Sequence, residues 1–287
     1  MNLRSALPQE HIKHLIDLSI AEDIATGDVT TEILIPSDMT SKAVLLAKAD
    51  GVLAGVDVAC LVFIRLDPSI KINVLINDGS PLKKGDIIAE IQGKTRSIVT
   101  GERVALNFLQ KLSGIASQTA KFVALTHDLP VSIVDTRKTT PGYRLLEKYA
   151  VRMGGGKNHR LNLTDEVLIK DNHLMALRAQ GMTLREIVLQ AKKKAPEGLK
   201  VEVETTNLQE VREAVDAGAD IIMFDNMSPA EMKKAVKLLP PSIISEASGG
   251  VTLETMRAIA ETGVTMISVG ALTHSSKALD ISLELLQ

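Results

Sequence analysis

The stretch VSIVDTRKTTPGYR, residues Val131 to Arg144, changes character in its middle. Its first four residues, Val131–Val134, form a short apolar run that predicts a buried strand. An acid, Asp135, follows this run, and two adjacent cations, Arg137 and Lys138, precede a Pro-Gly break. The stretch therefore raises the question of what two adjacent positive charges do where an apolar strand ends.

The same kind of apolar run recurs along the rest of the chain. Six runs predict strands: Val131–Val134, Val167–Ile169, Val201–Val203, Ile221–Phe224, Ile243–Ser245 and Met266–Val269. Helical patterns lie between them, including Leu208–Ala217, Pro229–Leu239 and Leu253–Thr262. Alternating strands and helices predict parallel strands joined by right-handed crossovers. About six such units can close into a barrel or form an open doubly wound sheet.

The residues that follow the six predicted strands favour the barrel. Nearly every strand ends in reactive or small residues: Asp135, Arg137 and Lys138; Lys170, Asp171 and Asn172; Glu202 and Glu204; Asp225 and Asn226; EASGG at 246–250; and VGALTHS at 269–275. In α/β barrels the active site lies at the carboxyl ends of the strands, where several loops converge. One charged strand end is usually a helix cap or a solvated loop. Six together predict the mouth of an active site.

The first part of the chain, to about residue 112, mixes element types. Patterns predict an opening helix, two strands and a turn–strand–turn segment: Pro8–Asp23, Lys42–Ala49, Ile70–Ile76 and Asp78–Gly93. The apolar run VDVACLVFIRL, residues 56–66, favours a buried helix, although periodicity alone also allows a strand. This mixture predicts an α+β sandwich.

The predicted domains are therefore an α+β sandwich over residues 1–112 and an α/β barrel catalytic domain over residues 113–275. A long helix from about Ser97 to His127, with a possible break near Gly114, is expected to lead from the first to the second. The tail, residues 276–287, is expected to pack back on the sandwich.

Composition excludes several classes of function. A formal net charge of −2 argues against a general polyanion binder, and two Tyr, four Phe and no Trp leave few rings to stack on nucleic acid bases. The single cysteine, Cys60, cannot form an internal disulfide, which suits a reducing cytoplasm. Met1 to Asp23 has no continuous apolar run, and no segment approaches the roughly 20 apolar residues that span a bilayer. A cytoplasmic protein that binds neither nucleic acid nor membrane is expected.

The region that follows the first predicted barrel strand is strongly basic. Between Asp135 and Arg160 there are seven Lys and Arg residues and two acids, a local charge of +5, together with His159. Such a field attracts small anions, and the forked guanidinium of Arg suits planar carboxylates. Arg144, Lys148 and Arg152, at a spacing of four, fit a solvated helix face equally well.

Other strand ends predict sites for phosphate and for hydroxyl groups or metal. SGG at 248–250 and GAL at 270–272 follow the last two strands, where barrels frequently bind phosphate through backbone amides. Glu204 and Asp225 could accept hydrogen bonds from hydroxyl groups or share Mg²⁺, or serve as caps and structural ion pairs. GGGKNHR at 154–160 is a weaker phosphate signal, because it matches no nucleotide-binding motif. No nucleophile dyad and no Cys/His metal spacing is present, so the pattern suits a carboxylate substrate and a phosphate substrate.

At this point a family resemblance becomes specific. DTRKTTPGYRLLEKYAVRMGGGKNHRLNLTDEVLIKDNH, residues 135–173, closely resembles the signature region of the quinolinate phosphoribosyltransferase family. The segments GERVALNFLQKLSGIAS, VEVE, FDN, SGGV and VGALTHS follow in that family's order and spacing. Two positions depart from the usual pattern, Tyr143 and Met153, and both are expected to be changes in packing.

The resemblance implies a fold, a reaction and an assembly. The fold is an N-terminal α/β sandwich followed by a barrel of fewer than eight units, in a homodimer with shared active sites. The reaction moves phosphoribose from 5-phosphoribosyl 1-diphosphate (PRPP) to the ring nitrogen of quinolinate, with Mg²⁺. Decarboxylation then leaves nicotinate mononucleotide, pyrophosphate and CO₂, a step in NAD biosynthesis. The chain would thus be a pentosyltransferase.

The resemblance also implies residue roles. The residues expected to bind the two quinolinate carboxylates are Arg137, His159, Arg160 and Lys170, with Arg103 from the neighbouring subunit. Those expected to bind PRPP are Lys138 near the pyrophosphate, Glu204 and Asp225 at the ribose hydroxyls or Mg²⁺, and Ser248, Gly249, Gly250, Gly270, Ala271 and His274 around the 5′-phosphate. The expected catalytic group comprises Lys138, Lys170, Glu204 and Asp225.

Two alternatives stay open on the sequence. One is a paralogue of the same fold that serves molybdenum transport or accepts another aromatic acid. The four expected carboxylate ligands within this chain argue against it. The other is a non-catalytic phosphate-binding barrel, which would need only one of the two predicted anion sites.

Overall fold

The structure, a computed structural model, describes residues 8–286. The first seven residues of the predicted sandwich and Gln287 of the predicted tail lie outside the described residues. The chain divides into two units. The first runs to Ala120 and also includes Thr139–Gly155 and the chain from Ser275, and the second comprises Lys121–Lys138 and Gly156–His274.

The sequence predicted a single boundary near residue 112. The division is different, because Thr139–Gly155 packs with the first unit. Tyr149 in this segment is fully buried, and its hydroxyl donates a hydrogen bond to Asp78 over 2.7 Å. Tyr143 stacks on Phe108 with the ring centroids 5.5 Å apart. The expectation that Tyr143 serves packing is therefore confirmed.

The first unit is built on antiparallel strands. They are β1 (Thr40–Ala47), β2 (Gly51–Val52), β3 (Lys71–Val74), β4 (Pro81–Leu82), β5 (Ile87–Lys94) and, at the end of the chain, β12 (Ile281–Leu286). Four of them form a sheet in the order β12-β1-β5-β3, and β2 pairs with β4. The C-terminal strand thus completes the first sheet by pairing along β1.

Among the described residues, five helices belong wholly or mainly to the first unit. They are α1 (Gln9–Ile24), α2 (Val29–Leu34), α3 (Val56–Leu66), α4 (Thr95–Ala124) and α5 (Arg144–Met153). The apolar run 56–66 forms α3, as favoured by the sequence. The possible break near Gly114 is wrong, because α4 is continuous. A side chain at Gly114 would overlap the carbonyl oxygen of Lys277, so this glycine allows another segment to lie directly against the helix.

The second unit contains six parallel strands. They are β6 (Ser132–Val134), β7 (Val167–Ile169), β8 (Val201–Thr205), β9 (Ile221–Asp225), β10 (Ile244–Ser248) and β11 (Met266–Ser268). Their order is β6-β11-β10-β9-β8-β7, which leaves β6 and β7 as the two edges. The predicted class, an α/β fold in which an α+β sandwich precedes an incomplete barrel of about six units, is confirmed, and the first sheet is antiparallel.

Short helices connect these strands. They are α6 (Asp171–Arg178), α7 (Leu184–Lys194), α8 (Leu208–Asp216), α9 (Pro229–Val236), α10 (Leu253–Ala260) and α11 (Ala271–His274). Four of them begin at side chains that accept a backbone N–H of the first turn: Thr183, Asn207, Ser228 and Thr252. Such caps fix where each helix starts and so fix the loops at the carboxyl ends of the strands. Within residues 8–286, no helix is both long and apolar enough to cross a bilayer.

Candidate active site

A cavity of about 290 Å³ opens at the carboxyl ends of the six parallel strands. Its lining comes entirely from the second unit: Thr136, Arg137, Lys138, His159, Arg160, Leu168, Lys170, Glu204, Met223, Asp225, Glu246, Ser248 and Ser268. The lining includes eight of the residues implied by the resemblance. A smaller cavity of about 220 Å³ on the first sheet is lined by residues such as Lys42 and Glu90, and it contains none of them.

The segment that carries His159 and Arg160 runs beside the edge strand β6. The amide of Lys157 donates to Ile133 over 2.8 Å, and its carbonyl accepts from Asp135 over 3.2 Å. The fully buried Asp135 carboxylate then accepts the backbone N–H of His159 at 3.0 Å. Pairing with the end of β6 therefore places His159 in the same cavity as Arg137.

The guanidinium groups of Arg137 and Arg160 are close enough to repel each other. Burial, followed by the positive charge of Arg137, lowers the pKa of Arg160. Arg160 also donates to the carbonyl oxygen of Glu166 over 3.2 Å, which fixes its direction. Like charges that are brought together in a cavity are stabilised when an anion binds between them.

His159 lies against buried carboxylates. Its Nε2 is 3.1 Å from an oxygen of Glu246 and 3.4 Å from an oxygen of Glu202, and both of these side chains are inaccessible to solvent. Burial opposes a charged ring, but the close contacts with Glu202 and Glu246 and the negative charges of these two acids raise the pKa of His159 to about 10. Burial likewise raises the pKa of Glu202 to about 8, with Glu246 and Glu166 adding to the effect.

The other ring nitrogen of His159 faces two groups that favour different protonation states. The amide of Arg160 is 2.8 Å from Nδ1, a hydrogen bond that only a neutral ring accepts, whereas a Glu166 oxygen lies 3.9 Å away. A neutral hydrogen bond contributes about 1 kcal/mol. A charge pair 4 Å apart at an effective dielectric constant of about 20 contributes about 4 kcal/mol. The carboxylates on both sides of the ring therefore favour its charged form.

The acids Glu204 and Asp225 stand at the ends of the neighbouring strands β8 and β9. Lys170 Nζ is 3.4 Å from one Glu204 oxygen, and the amide of Asp171 donates to the other over 3.0 Å. Asp225 accepts from the side chain of Asn226 over 3.0 Å. Both acids keep a hydrogen-bonded orientation toward the cavity in which hydroxyl groups or a cation can reach them.

The predicted phosphate residues are brought only partly into the cavity lining. Ser248 lines it, whereas Gly249, Gly250, Gly270, Ala271 and His274 do not. The loop geometry nevertheless requires glycine. Gly249 and Gly250 have φ of +90° and +59°. A side chain at Gly270 would come within 3.1 Å of Lys138 and of His274. Lys138, Gly270 and His274 are thus neighbours at one rim.

Other basic residues of the predicted cluster belong to the first unit. Lys148 on α5 is 2% exposed, so the alternative of a solvated helix face fails for it. Arg152 lies over the Tyr149 ring, 5.7 Å from its centre. In the GGG segment, a side chain at Gly154 would overlap the carbonyl oxygen of Ala116, which accounts for a glycine there by packing. Arg103 lies on α4 with its side chain 58% exposed.

Sequence reasoning missed the partners of His159. Glu202 and Glu246 were recognised only as polar residues near strand ends, and Leu168 and Met223, which add apolar surface to the cavity, were not singled out. One signal was available: Glu202 is a charge inside the apolar run VEVE of a strand with buried neighbours. A buried acid in such a strand is expected to have a specific partner.

Comparisons with known proteins agree with this geometry. The family models described as quinolinate phosphoribosyl transferase, N-terminal domain and C-terminal domain, match residues 28–113 and 115–284. The chain is 44% identical over 273 residues to the probable nicotinate-nucleotide pyrophosphorylase (carboxylating) of Bacillus subtilis, covering 95% of this chain and 93% of that protein. It is 45% identical over 294 residues to the chloroplastic nicotinate-nucleotide pyrophosphorylase (carboxylating) of Arabidopsis thaliana, covering 97% and 84%.

Solved structures show the same similarity over nearly the whole chain. NadC from Streptococcus pyogenes superposes with a TM-score of 0.91 at 42% identity, covering 98% of this chain and 99% of that one. The nicotinate-nucleotide pyrophosphorylase from Francisella tularensis gives a TM-score of 0.90 at 41% identity, covering 98% of both chains. The chain therefore belongs to the quinolinate phosphoribosyltransferase family.

Proposed function

We propose that this chain catalyses the transfer of phosphoribose from PRPP to the ring nitrogen of quinolinate, followed by decarboxylation. The products are nicotinate mononucleotide, pyrophosphate and CO₂, and the reaction is a step in NAD biosynthesis. The relatives that match nearly the whole chain are named for this activity. The observation that carries the proposal is the convergence of Arg137, Arg160 and Lys170 with His159 in one cavity.

The dicarboxylate is held by the positive side of the cavity. Arg137 and Arg160 offer forked donors to the two adjacent carboxylates of quinolinate, with Lys170 and the charge of His159 beside them. The repulsion that lowers the pKa of Arg160 is relieved when the anion binds. The apolar side chains of Leu168 and Met223 offer a surface for the pyridine ring.

PRPP is held at the opposite rim. Lys138 faces the diphosphate, Glu204 and Asp225 accept hydrogen bonds from the ribose hydroxyls, and Ser248 takes part in binding the 5′-phosphate. The remaining phosphate residues are Gly249, Gly250, Gly270, Ala271 and His274. The left-handed backbone of Gly249 and Gly250 supports this role, because it lets backbone N–H groups approach an anion.

Magnesium is proposed as the cation that accompanies PRPP. Glu204 and Asp225, at the ends of adjacent strands, supply the oxygen ligands that a hard cation prefers, so the residues fit the ion either directly or through PRPP. When bound, Mg²⁺ neutralises charge on the departing diphosphate.

The chain contributes positioning and charge rather than a covalent intermediate. The cationic residues hold the pyridine nitrogen in line with the anomeric carbon, and the nitrogen attacks as pyrophosphate leaves. Glu204 and Asp225 lie on the sugar side, where positive charge develops in the transition state. Once phosphoribose is attached to quinolinate, the positive charge on the ring nitrogen makes loss of the adjacent carboxylate feasible.

We propose a homodimer in which Arg103 of one subunit reaches the cavity of the other. The exposure of Arg103 supports this role, because a cation with 58% of its side chain accessible is free to contact another chain. A cytoplasmic location also stays a proposal. The buried Cys60, the single cysteine of the chain, suits a reducing compartment, and plant relatives are named mitochondrial or chloroplastic.

Product analysis tests the proposed reaction against both alternatives. With quinolinate and PRPP we expect equal amounts of nicotinate mononucleotide, pyrophosphate and CO₂. Nicotinate lacks the second carboxylate, and sites built around polar groups reject such analogues by factors of about 10⁴. Comparable turnover of nicotinate, or turnover of another aromatic acid in place of quinolinate, would contradict the proposal. Binding of phosphate compounds without turnover would indicate a scaffold.

A further inference from the structure

Two buried carboxylates, Glu202 and the cavity-lining Glu246, take no part in the reaction as described. Glu202 on β8 and Glu246 on β10 each place an oxygen within 3.4 Å of His159 Nε2. Among the described residues, both oxygens of Glu202 and Oε1 of Glu246 lack a hydrogen-bond partner. Fully buried carboxylate oxygens without donors are unfavourable, so a structure that contains them is expected to have a functional reason.

The charges around the His159 ring come from several elements. Glu202 and Glu246 face Nε2, and Glu166, in the loop before β7, faces Nδ1 at 3.9 Å. Arg160 follows His159 directly in the chain, and Arg137 lies close enough to act on the charge of Arg160. The ring thus has carboxylates at both of its nitrogens and shares the cavity lining with Arg137 and Arg160.

We propose that Glu202 and Glu246 are positioning residues for His159: they hold its protonated Nε2 and keep the ring positively charged beside the carboxylate subsite. This inference rests on the proposed function for the identity of the dicarboxylate, but the state of the ring can be measured without any substrate. In this arrangement Nε2 points at the carboxylates and away from the ligand. His159 then acts on the substrate through its charge and its fixed position.

Physical chemistry supports each part of this arrangement. The ring is 8% exposed, and a buried imidazole without counter-ions loses its proton more easily than one in water. The two carboxylates reverse that tendency and raise the pKa of His159 to about 10. The charge on His159 in turn compensates the buried acids, which would otherwise repel a dicarboxylate a few ångströms away.

Nitrogen-15 NMR of histidine-labelled protein tests the ring directly. The chain has six histidines, and the His159→Gln variant identifies the signal. We expect the wild-type ring to stay protonated from about pH 6 to about pH 9, outside the ordinary titration of histidine. In Glu246→Gln the midpoint should fall by about one unit or more, because a charge partner is lost. The control Glu197→Gln removes an exposed acid and should match the wild type.

Two outcomes of the NMR experiment overturn the proposal: a wild-type His159 that titrates like free histidine, or a Glu246→Gln spectrum that equals that of the wild type. A stoichiometric transition metal found by elemental analysis would also overturn it, because the ring would then be a ligand. If Glu246→Gln does not fold, Glu202→Gln provides the same test from the other strand.

Calorimetric binding of quinolinate in a double-mutant cycle separates positioning from a general structural role. Glu246→Gln should weaken binding by about tenfold at pH 8 and by less at pH 6, where the ring regains its proton. In the His159→Gln background the same change should have little further effect, because Glu246 acts through the ring. The Michaelis constant for PRPP should stay unchanged.

Additive effects of Glu246→Gln and His159→Gln on quinolinate binding would contradict the proposal. A wild-type protein that fails to bind quinolinate would contradict the proposed function, and the NMR result would still decide the state of the ring.

Discussion

Two polar clusters, one around the partly buried Asp78 and one around the fully buried Glu202 and Glu246, differ in how their carboxylates are satisfied. In the first unit Asp78 accepts three hydrogen bonds, from the amides of Gly55 and Val56 and from the hydroxyl of Tyr149, at 2.7 to 3.0 Å. In the second unit Glu202 and Glu246 share one imidazole, and three of their four oxygens lack hydrogen-bond donors among the described residues.

The difference indicates which cluster stabilises the fold and which cluster serves function. A partly buried carboxylate with three donors stabilises the fold, here by connecting α3 and α5 through Asp78. A cluster with unsatisfied oxygens and crowded cations is less favourable and persists because it serves a ligand. Substitutions in the first cluster should therefore lower the stability of the fold, and substitutions in the second should lower activity.

Removal of divalent cations should have the largest effect and should act only on the cavity. PRPP carries a diphosphate leaving group whose charge must be neutralised, so excess chelator should abolish nearly all activity. Added Mg²⁺ should restore activity, and the melting temperature without substrates should change little. Full activity in the presence of chelator would show that this part of the mechanism is wrong.

Arg137→Ala tests the cationic cavity. Charge-assisted hydrogen bonds contribute about 1.5–3 kcal/mol, and the cavity is shielded, so kcat/KM for quinolinate should fall by about two orders of magnitude. The melting temperature should stay close to that of the wild type, since repulsion with Arg160 is also removed. Arg212→Ala, an exposed position outside the cavity, is the matched control. A loss below about fivefold would exclude the proposed role.

Asp78→Ala tests the satisfied cluster. The variant leaves two backbone amides and one hydroxyl without an acceptor, so we expect a loss of about 3 kcal/mol in the free energy of unfolding. Tyr149→Phe removes one donor and should cost about 1 kcal/mol. Denaturant unfolding measures both, with Asp38→Ala as the exposed control. A folded Asp78→Ala protein with wild-type stability and a raised KM would show that this cluster serves activity rather than stability.

Mixing two inactive variants tests whether the first unit of one chain completes the cavity of another. Arg103→Ala and Arg137→Ala homodimers should each be nearly inactive. After joint denaturation and refolding, about half of the dimers should be heterodimers with one intact site, so about a quarter of wild-type activity should return. A mixture that stays inactive despite proven subunit exchange would place the action of Arg103 within its own chain.

Much of the second unit could be predicted because its strands are buried on both faces and read as short apolar runs. All six predicted runs became strands, and β7 kept the predicted bounds, Val167–Ile169. The residues at the strand ends gathered for the same reason, since parallel strands carry their carboxyl ends to one side. Local pattern alone was sufficient there.

What the sequence could not provide are contacts between distant residues. The pairing of His159 with Glu246 joins positions 87 residues apart, and nothing in either local pattern indicates it. The possible break at Gly114 failed for the same reason. The glycine signals the close approach of Lys277, which lies far along the chain and is invisible to helix propensity.

The two edges of the incomplete barrel have a consequence for solubility. An edge strand presents unpaired amides and carbonyls that can recruit another chain and start aggregation. Here both edges, β6 and β7, are only three residues long, so they offer a poor template. Lys157 already occupies the free side of β6 through two backbone hydrogen bonds. The segment that brings His159 to the cavity therefore also protects an exposed edge, and changes that loosen it are expected to favour aggregation as well as inactivity.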